Sequence, residues 1–286
     1  MNIKTYRSIT EVSEAQWDTI VSKEQIFCTH RCIEAMEKSG VSEGSPYYFV
    51  VYDGDEIIAH TCIYLVTSEM DVFARGIIKK IIDLARRVWK NFFILRFLEC
   101  GSPILVGNIM SFKDGVNRGE TLRLLCHGIE GLAKDIGIKF LLFRDFYNEE
   151  TAFFDLLKER GYMTIHNLPK AEIKIRWKSF DEYLNSMRSN YRCKIIKNMD
   201  RCAKANVSIR VVKDFSDKAH ELKRLYDNVY NQAKEIKRER VNESFFHNIN
   251  KYLREETAML LAVKDNRLIG YMLLLFSGKT LISKFP

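Results

Sequence analysis

The sequence predicts a mixed α/β protein in which helices pack on mixed β-sheets, built from two similar units of which the second is incomplete. Three observations predict it. Two long runs, 47–66 and 258–276, are rich in aromatic and β-branched or leucine side chains and break at Asp53-Gly54 and Asp265-Asn266, the signature of β-hairpins. Each hairpin follows the same order of elements, a strand and then two helices with 3.6-residue apolar periodicity. The chain has 286 residues, 47% apolar and 29% charged, a composition ordinary for a globular protein and a length that favours two domains. The expected boundary divides it into 1–176 and 177–286.

The elements follow in order. "IKTYRSI" reads as a first strand, and "EAQWDTIV" and "THRCIEAMEKSG" as helices, the latter stopped by Gly40. The first hairpin comes next, with Asp53-Gly54 expected to form a type I′ turn. Segment 75–93, "RGIIKKIIDLARRVWKNFF", is strongly amphipathic. Ile77, Ile78, Ile81, Leu84, Val88 and Phe93 fall on one half of a helical wheel, opposite Lys79, Lys80, Arg86, Arg87 and Lys90. Such a helix either packs its stripe on its own sheet or lies in an anionic membrane interface.

"FILRFLECGSPILVGNIMSF" reads as two strands around a Gly-Ser-Pro turn, "NRGETLRLLCHGIEGLAKDIG" as a helix ended by Gly137, and "IKFLLFRDF" as a buried strand. "NEETAFFDLLKERG" is a helix with acids in its first turn and bases in its last. Two strand-like pieces flank Leu168-Pro169 in 162–177. One long helix is expected over 179–207, with Phe180, Leu184, Met187, Tyr191 and Ile195 as its core stripe. Strand "VSIRVV" and two helices, 216–236 and 242–256, lead to the second hairpin. In the repeat, Ala59 of the first hairpin corresponds to Gly270 of the second.

Charge narrows the partners. The net charge is +8, and residues 173–256 hold 20 Lys and Arg against 12 Asp and Glu, so that segment carries all of the excess. An anionic partner is favoured. The bases are mixed with acids along helices and no nucleic-acid-binding motif occurs, so general nucleic-acid binding is not expected. The seven cysteines include no C-x-x-C pair, and "CTHRC" has no second cluster to complete a tetrahedral site, so no metal is expected. Scattered free thiols and an N-terminus without an apolar signal core lead to the expectation of a cytoplasmic protein, or one peripheral on the inner face of the membrane through 75–93.

Arg188 and Arg192 stand four residues apart and can clamp a phosphate or carboxylate, with Lys194, Tyr183 and Tyr191 beside them. Equally, they can form a solvated basic face balanced by Asp181, Glu182 and Asp200. Asp145 ends a buried strand, where open α/β sheets place ligands, and is the first catalytic carboxylate candidate; it can instead cap a helix or pair with Arg144. Glu99, before "CGSP", is a second candidate, and Tyr191 a third proton-handling group.

The segments "VYDGDEIIA", "CGSPILVG" (100–107), "FLLFRDF" (140–146), "ERGY" (159–162) and "WKSFDEYLNSMRSNYRCKI" (177–195) together resemble the acyl-CoA N-acyltransferase (GNAT) superfamily, in particular its tandem FemAB-like and BioF2-like branches. The resemblance covers nearly the whole chain. It implies tandem GNAT-like domains and transfer of an acyl or aminoacyl group to an amine of a cell-envelope or secondary-metabolite precursor, such as a peptidoglycan or lipid-linked acceptor. The implied donor is acyl-CoA as cosubstrate, or aminoacyl-tRNA. The place where such enzymes hold the CoA pyrophosphate reads "KDGVNRGET", which makes Gly115, Arg118 and Gly119 the cofactor-binding candidates. A complete second copy has further strands and a helix after its hairpin. The alternative is a non-catalytic relative that binds a membrane surface or an anionic ligand.

Overall fold

The computed structural model describes residues 1–285 except 45, 70, 72–75, 103, 105, 106, 147–149, 167–170 and 234–239, and leaves out the side chains of 151–154. Strand β1 (Asn2–Tyr6) pairs antiparallel with β2 (Tyr47–Asp53), which turns back into β3 (Glu56–Glu69). Strands β4 (Ile94–Cys100) and β5 (Ser111–Phe112) both pair antiparallel with β3. Strand β6 (Leu141–Phe143) runs parallel to β4, the one parallel pair among the described residues. The second sheet has β7 (Ser208–Val212), β8 (Thr257–Lys264), β9 (Arg267–Ser277) and β10 (Thr280–Lys284), all antiparallel, in the order β10-β9-β8-β7.

Helices α1 (Glu14–Asp18) and α2 (His30–Ser39) lie between β1 and β2 in the chain, and α8 (Ala219–Gln232) and α9 (Glu243–Tyr252) between β7 and β8. The caps explain the limits of α2 and α9. Thr29 and Asn242 accept from backbone N–H groups of the first turns, and Gly40 ends α2 in the left-handed region at φ 60°. The remaining helices are α3 (Gly76–Val88), α4 (Arg118–Asp135), α5 (Thr151–Glu159), α6 (Phe180–Ser186) and α7 (Ser189–Lys204).

The two hairpins repeat each other down to a backbone irregularity. Val51 pairs with Ala59 and Tyr52 with Ile57, so Ile58 is an extra residue in the ladder. Ala262 pairs with Gly270 and Val263 with Leu268, which leaves Ile269 in the same place. Each is a β-bulge one step before the small residue, and bulges twist a strand locally. The turns differ. The first loop is Gly54-Asp55, one residue later than expected, and only Gly54 has positive φ, the II′ pattern; the second, Asp265-Asn266, has positive φ at both positions, the I′ pattern.

One buried cluster runs through both halves. It joins Ile33 and Met36 of α2 to Phe245, Phe246 and Ile249 of α9, which pack against each other. Polar contacts fix the crossing: Asn242 Nδ2 donates to the Ser39 carbonyl at 2.7 Å and Asn248 Nδ2 to Ser39 Oγ at 3.2 Å; outside the two helices, the Ile26 N–H donates to Ser277 Oγ of β9 at 3.0 Å. In the first half Trp17 stacks on His60 with ring centroids 3.6 Å apart, and burial pushes the His60 pKa down to about 3, so this histidine is a neutral core residue.

Several expectations are corrected. Helix 179–207 is two helices, because Met187 and Arg188 are extended (ψ 154° and 141°); Leu184 is its one buried stripe residue, and α7 buries nothing. The strand expected over 138–146 shortens to three half-buried residues, since its far edge has no partner strand among the described residues. The described parts of 162–177 form no strand, and residues 167–170 lie outside the described set. The second hairpin is not the last element: β10 adds to β9, and α8 and α9 cover one face, leaving Met259, Leu273 and Leu275 fully buried.

Helix α3 is turned the opposite way from an ordinary surface helix. Two of its bases face the body of the protein: Lys79 and Arg86 both bind Asp71, which is only 4% exposed, and Arg86 also reaches Glu69 and the Phe92 carbonyl. Ile82 alone is buried, while Ile77, Leu84 and Val88 are 76%, 63% and 92% exposed. The apolar stripe therefore does not pack on the sheet. Among the described residues no helix is long and apolar enough to cross a bilayer.

Candidate functional site

Strands β4 and β6 end side by side; Glu99 is the last residue but one of β4, and Arg144 and Asp145 follow β6 directly. Parallel strands release their unpaired backbone groups at the same end, which is why ligands gather there in open α/β sheets. Arg144, one residue past β6, donates from Nη1 to Glu99 Oε1 at 3.0 Å and from Nε to Asp145 Oδ2 at 2.7 Å. Asp145 Oδ2 also accepts the Gly107 N–H at 3.2 Å. Glu99 is 1% exposed, and the Arg144 and Asp145 side chains are nearly as enclosed. Ionised carboxylates at such depth need paired cations.

The local backbone is shaped for this cluster. Asp145 has φ 64°, a left-handed conformation that Asp tolerates better than most residues but that costs energy. A Cβ on Gly101 would come within 2.7 Å of the Arg144 Cγ and Cδ, so the arginine stem lies directly over that glycine. At the other end of "CGSPILVG", a Cβ on Gly107 would meet Phe27 Cζ at 2.2 Å. Both glycines exist for close approach.

An open cleft of about 450 Å³ lies next to the cluster. Asn108 and Met110 through Asp114 form one wall, Thr19 through Ser22 and Gln25 another, and Arg118 and Glu150 close it. The cleft and the carboxylate cluster are one residue apart in the chain, since Gly107 bonds Asp145 and Asn108 lines the cleft. Cys28 Sγ holds the Asn108 carbonyl at 3.4 Å from the core side. Arg118 begins α4, whose N-terminus presents the positive end of an 18-residue helix dipole; Asn117 caps it through the Glu120 N–H. The arrangement suits phosphate or another anion in the cleft.

The candidates fall into two groups. Glu99 and Asp145 meet at Arg144, and Asp114 and Arg118 line the cleft on either side of Gly115; Gly115, at φ 80°, makes the turn into α4, and Gly119 sits in the first helical turn. The residues of α6 and α7 lie elsewhere on the surface. Tyr191 is 58% exposed with the Lys194 ammonium 5.8 Å from its ring centroid, Tyr183 packs edge-on to Trp177 at 4.7 Å, and Arg188 is the N-cap residue of α7, with its carbonyl accepting from Arg192.

Sequence reasoning treated Arg144 only as a partner of Asp145, and missed the 19–25 wall entirely. Its one available signal was the pair of glycines bracketing "CGSPILVG". In "CTHRC", the His30 Nε2 faces the Ile9 and Val12 carbonyls, and no group of three or more metal-ligating side chains converges among the described residues. Cys100, next to Glu99, shares a hydrogen bond with Thr61 at 3.0 Å, and burial pushes its thiol up to about 12, so it is no thiolate at neutral pH.

The profile of the FemAB-like family, described as peptidoglycan biosynthesis/recognition, matches residues 8–285. Two curated proteins of Mycobacterium tuberculosis, from strains CDC 1551/Oshkosh and ATCC 25618/H37Rv, are named putative 8-amino-7-oxononanoate synthase 2. Each is 24% identical over 231 residues, a match to 80% of this chain and 30% of the relative, so the chain spans under a third of the length of these relatives. Among solved structures, FemX is similar over 92% of this chain and 57% of its own (16% identity, TM-score 0.46). The tetramutant of BH1408 from Bacillus halodurans is similar over 60% of this chain and all of its own (12% identity, TM-score 0.39). AtaT complexed with acetyl-methionyl-tRNAfMet is similar over 55% and 85% (10% identity, TM-score 0.33).

Proposed function

The chain belongs to the FemAB-like family, and from that premise we infer that it moves an acyl or aminoacyl group from an ester or thioester donor to an amine acceptor. The observation that carries this reading is the cleft at the α4 N-terminus, ending one residue from the Glu99–Arg144–Asp145 cluster. The phosphates of the donor, whether acyl-CoA or aminoacyl-tRNA, bind Arg118, Lys113 and the helix N-terminus. The acceptor is an amine of a peptidoglycan or other cell-envelope precursor. A boundary at 176/177 between two GNAT-like units belongs to the same reading.

The chemistry is direct displacement. The amine nitrogen attacks the donor carbonyl, the ammonium proton leaves, and the donor thiolate or ribose oxygen departs. A carboxylate takes the proton, directly or through water, and Asp145, bonded to the Gly107 N–H beside the cleft residue Asn108, is the first candidate, with Glu99 behind it on Arg144. Most of the acceleration comes from holding amine and carbonyl together. Arg144 holds both carboxylates in place. No covalent intermediate is required, in keeping with the suppressed acidity of Cys100.

The test is thermal unfolding with acetyl-CoA, free CoA and aminoacylated tRNA. A donor at a hundred times its Kd adds about 2.7 kcal/mol, and each kcal/mol raises Tm by roughly 2–4 °C for a chain of this size. Stabilisation by one donor, lost in Arg118→Ala, supports the reading. No shift with any of them rejects the cleft as the donor site.

A further inference from the structure

We propose that α3 is a docking helix for an anionic lipid surface, its exposed apolar stripe entering the headgroup boundary and its outer bases meeting lipid phosphates. The inference stands on α3 alone and does not depend on the transfer reaction. Two sets of bases on and just past this helix have different tasks. Lys79 and Arg86 are spent on the body of the protein: with Asp71 and Glu69 they hold the helix with its polar side inward. Burial by itself would raise the Asp71 pKa, but the hydrogen bonds from Lys79 and Arg86 outweigh it and hold the carboxyl below its ordinary range.

The second set is Lys80, Arg87 and Lys90, which are exposed and have no ion pair among the described residues. Lys80 and Arg87 lie along one side of the stripe of Ile77, Ile81, Leu84 and Val88, which occupy one line along the helix at steps of three and four, and Lys90 follows just past its last turn. Trp89, 67% exposed, and Phe93 extend it past the last turn. This is the composition of a helix lying in a bilayer interface, with apolar side chains inward to the acyl boundary and bases level with the headgroups.

Two features favour lipid over a protein partner. The stripe is borne on a single convex helix held by its opposite side, so Ile77, Ile81, Leu84 and Val88 all point outward; a bilayer conforms to that shape, whereas a protein would need a matching groove. The unpaired charges are all positive along the rim. Lipid phosphate supplies the complement without requiring a particular arrangement of acids.

The experiment is flotation of the full chain with vesicles of phosphatidylcholine alone and of phosphatidylcholine with one third phosphatidylglycerol. The expected result is binding to the anionic vesicles that weakens with salt. Replacing all three outer bases (Lys80→Glu, Arg87→Glu, Lys90→Glu) should weaken it by roughly 100-fold or more, since each base near an anionic surface contributes about fivefold. Leu84→Glu with Val88→Glu should abolish it; both positions are exposed, so the fold has no reason to fail, and an unchanged circular dichroism spectrum checks that. Failure of the wild-type chain to float with anionic vesicles overturns the proposal. So does binding unaffected by either variant. A wild-type chain that self-associates through this stripe, ignores vesicles and becomes monomeric in the Leu84→Glu, Val88→Glu variant would make the stripe a contact between copies and likewise overturn it.

Discussion

Replacing Arg144 by Met keeps an unbranched side chain over Gly101 but removes the cation that binds Glu99 and Asp145. The Glu99 side chain is 1% exposed and that of Arg144 is 11%, so solvent screens this pairing little. Removing one member of a buried pair typically costs about 3–5 kcal/mol, because the remaining charge stays desolvated. Against a total stability of about 5–15 kcal/mol, that is a large fraction. Urea unfolding should show a lower midpoint with an unchanged slope, the sign of lost stability rather than an altered unfolded state. Glu99→Gln in the Arg144→Met background should then cost little, giving a coupling of about 2–3 kcal/mol in the cycle. A loss below about 1 kcal/mol for Arg144→Met, with strictly additive effects in the cycle, would refute the view that this arginine organises the cluster.

Gly107→Ala should destabilise the chain by about 1–3 kcal/mol, measured the same way, because the new methyl meets the Phe27 ring at 2.2 Å and must displace it. In the native protein a maleimide probe should label Cys193 and Cys202 quickly and the five buried cysteines slowly, with all seven reacting in denaturant. Burial pushes the Cys32 and Cys126 thiols up to about 12, which adds a chemical barrier to the steric one; rapid native labelling of either would contradict the packing. Asp71 has a folded pKa below its unfolded one, so its stabilisation of α3 is present above the ordinary carboxylate range and is lost as pH falls through the folded value. Hydrogen exchange along α3 should therefore accelerate in acid, and Asp71→Asn should exchange fast already at neutral pH; equal protection in both proteins would refute the anchoring of α3 by Asp71.

What the sequence made legible was periodic structure whose two sides differ. The hairpins, the small residues recurring in them at 59 and 270, and helices α2, α4 and α9 followed from alternation, helical periodicity and the stop glycines Gly40 and Gly137. The break at Met187-Arg188 did not, because neither residue carries the constraint of Gly or Pro and the stripe continues across it. Helix α3 was found but its orientation was not: a wheel shows that two faces differ, and only the buried Asp71 decides that the basic one turns inward. At the site, Asp145 and Glu99 could be named because acids at the ends of apolar strands stand out. Arg144 joins them across 45 residues, a contact set by the parallel pairing of β4 and β6 rather than by any local pattern.

The crossing of α2 and α9 has a consequence for how the chain came to be and how it comes apart. The two helices occupy the same place in the repeated order β–α–α–hairpin, so each half presents to the other the element it receives. That is the geometry of an isologous contact, the kind two identical subunits make about a two-fold axis. Here it is enclosed within one polypeptide. A linker cut between the sheets would not release two independent bodies, since each would be left with the bared apolar flank of its own second helix. Severed halves should find each other again, or find copies of themselves, before either stood alone.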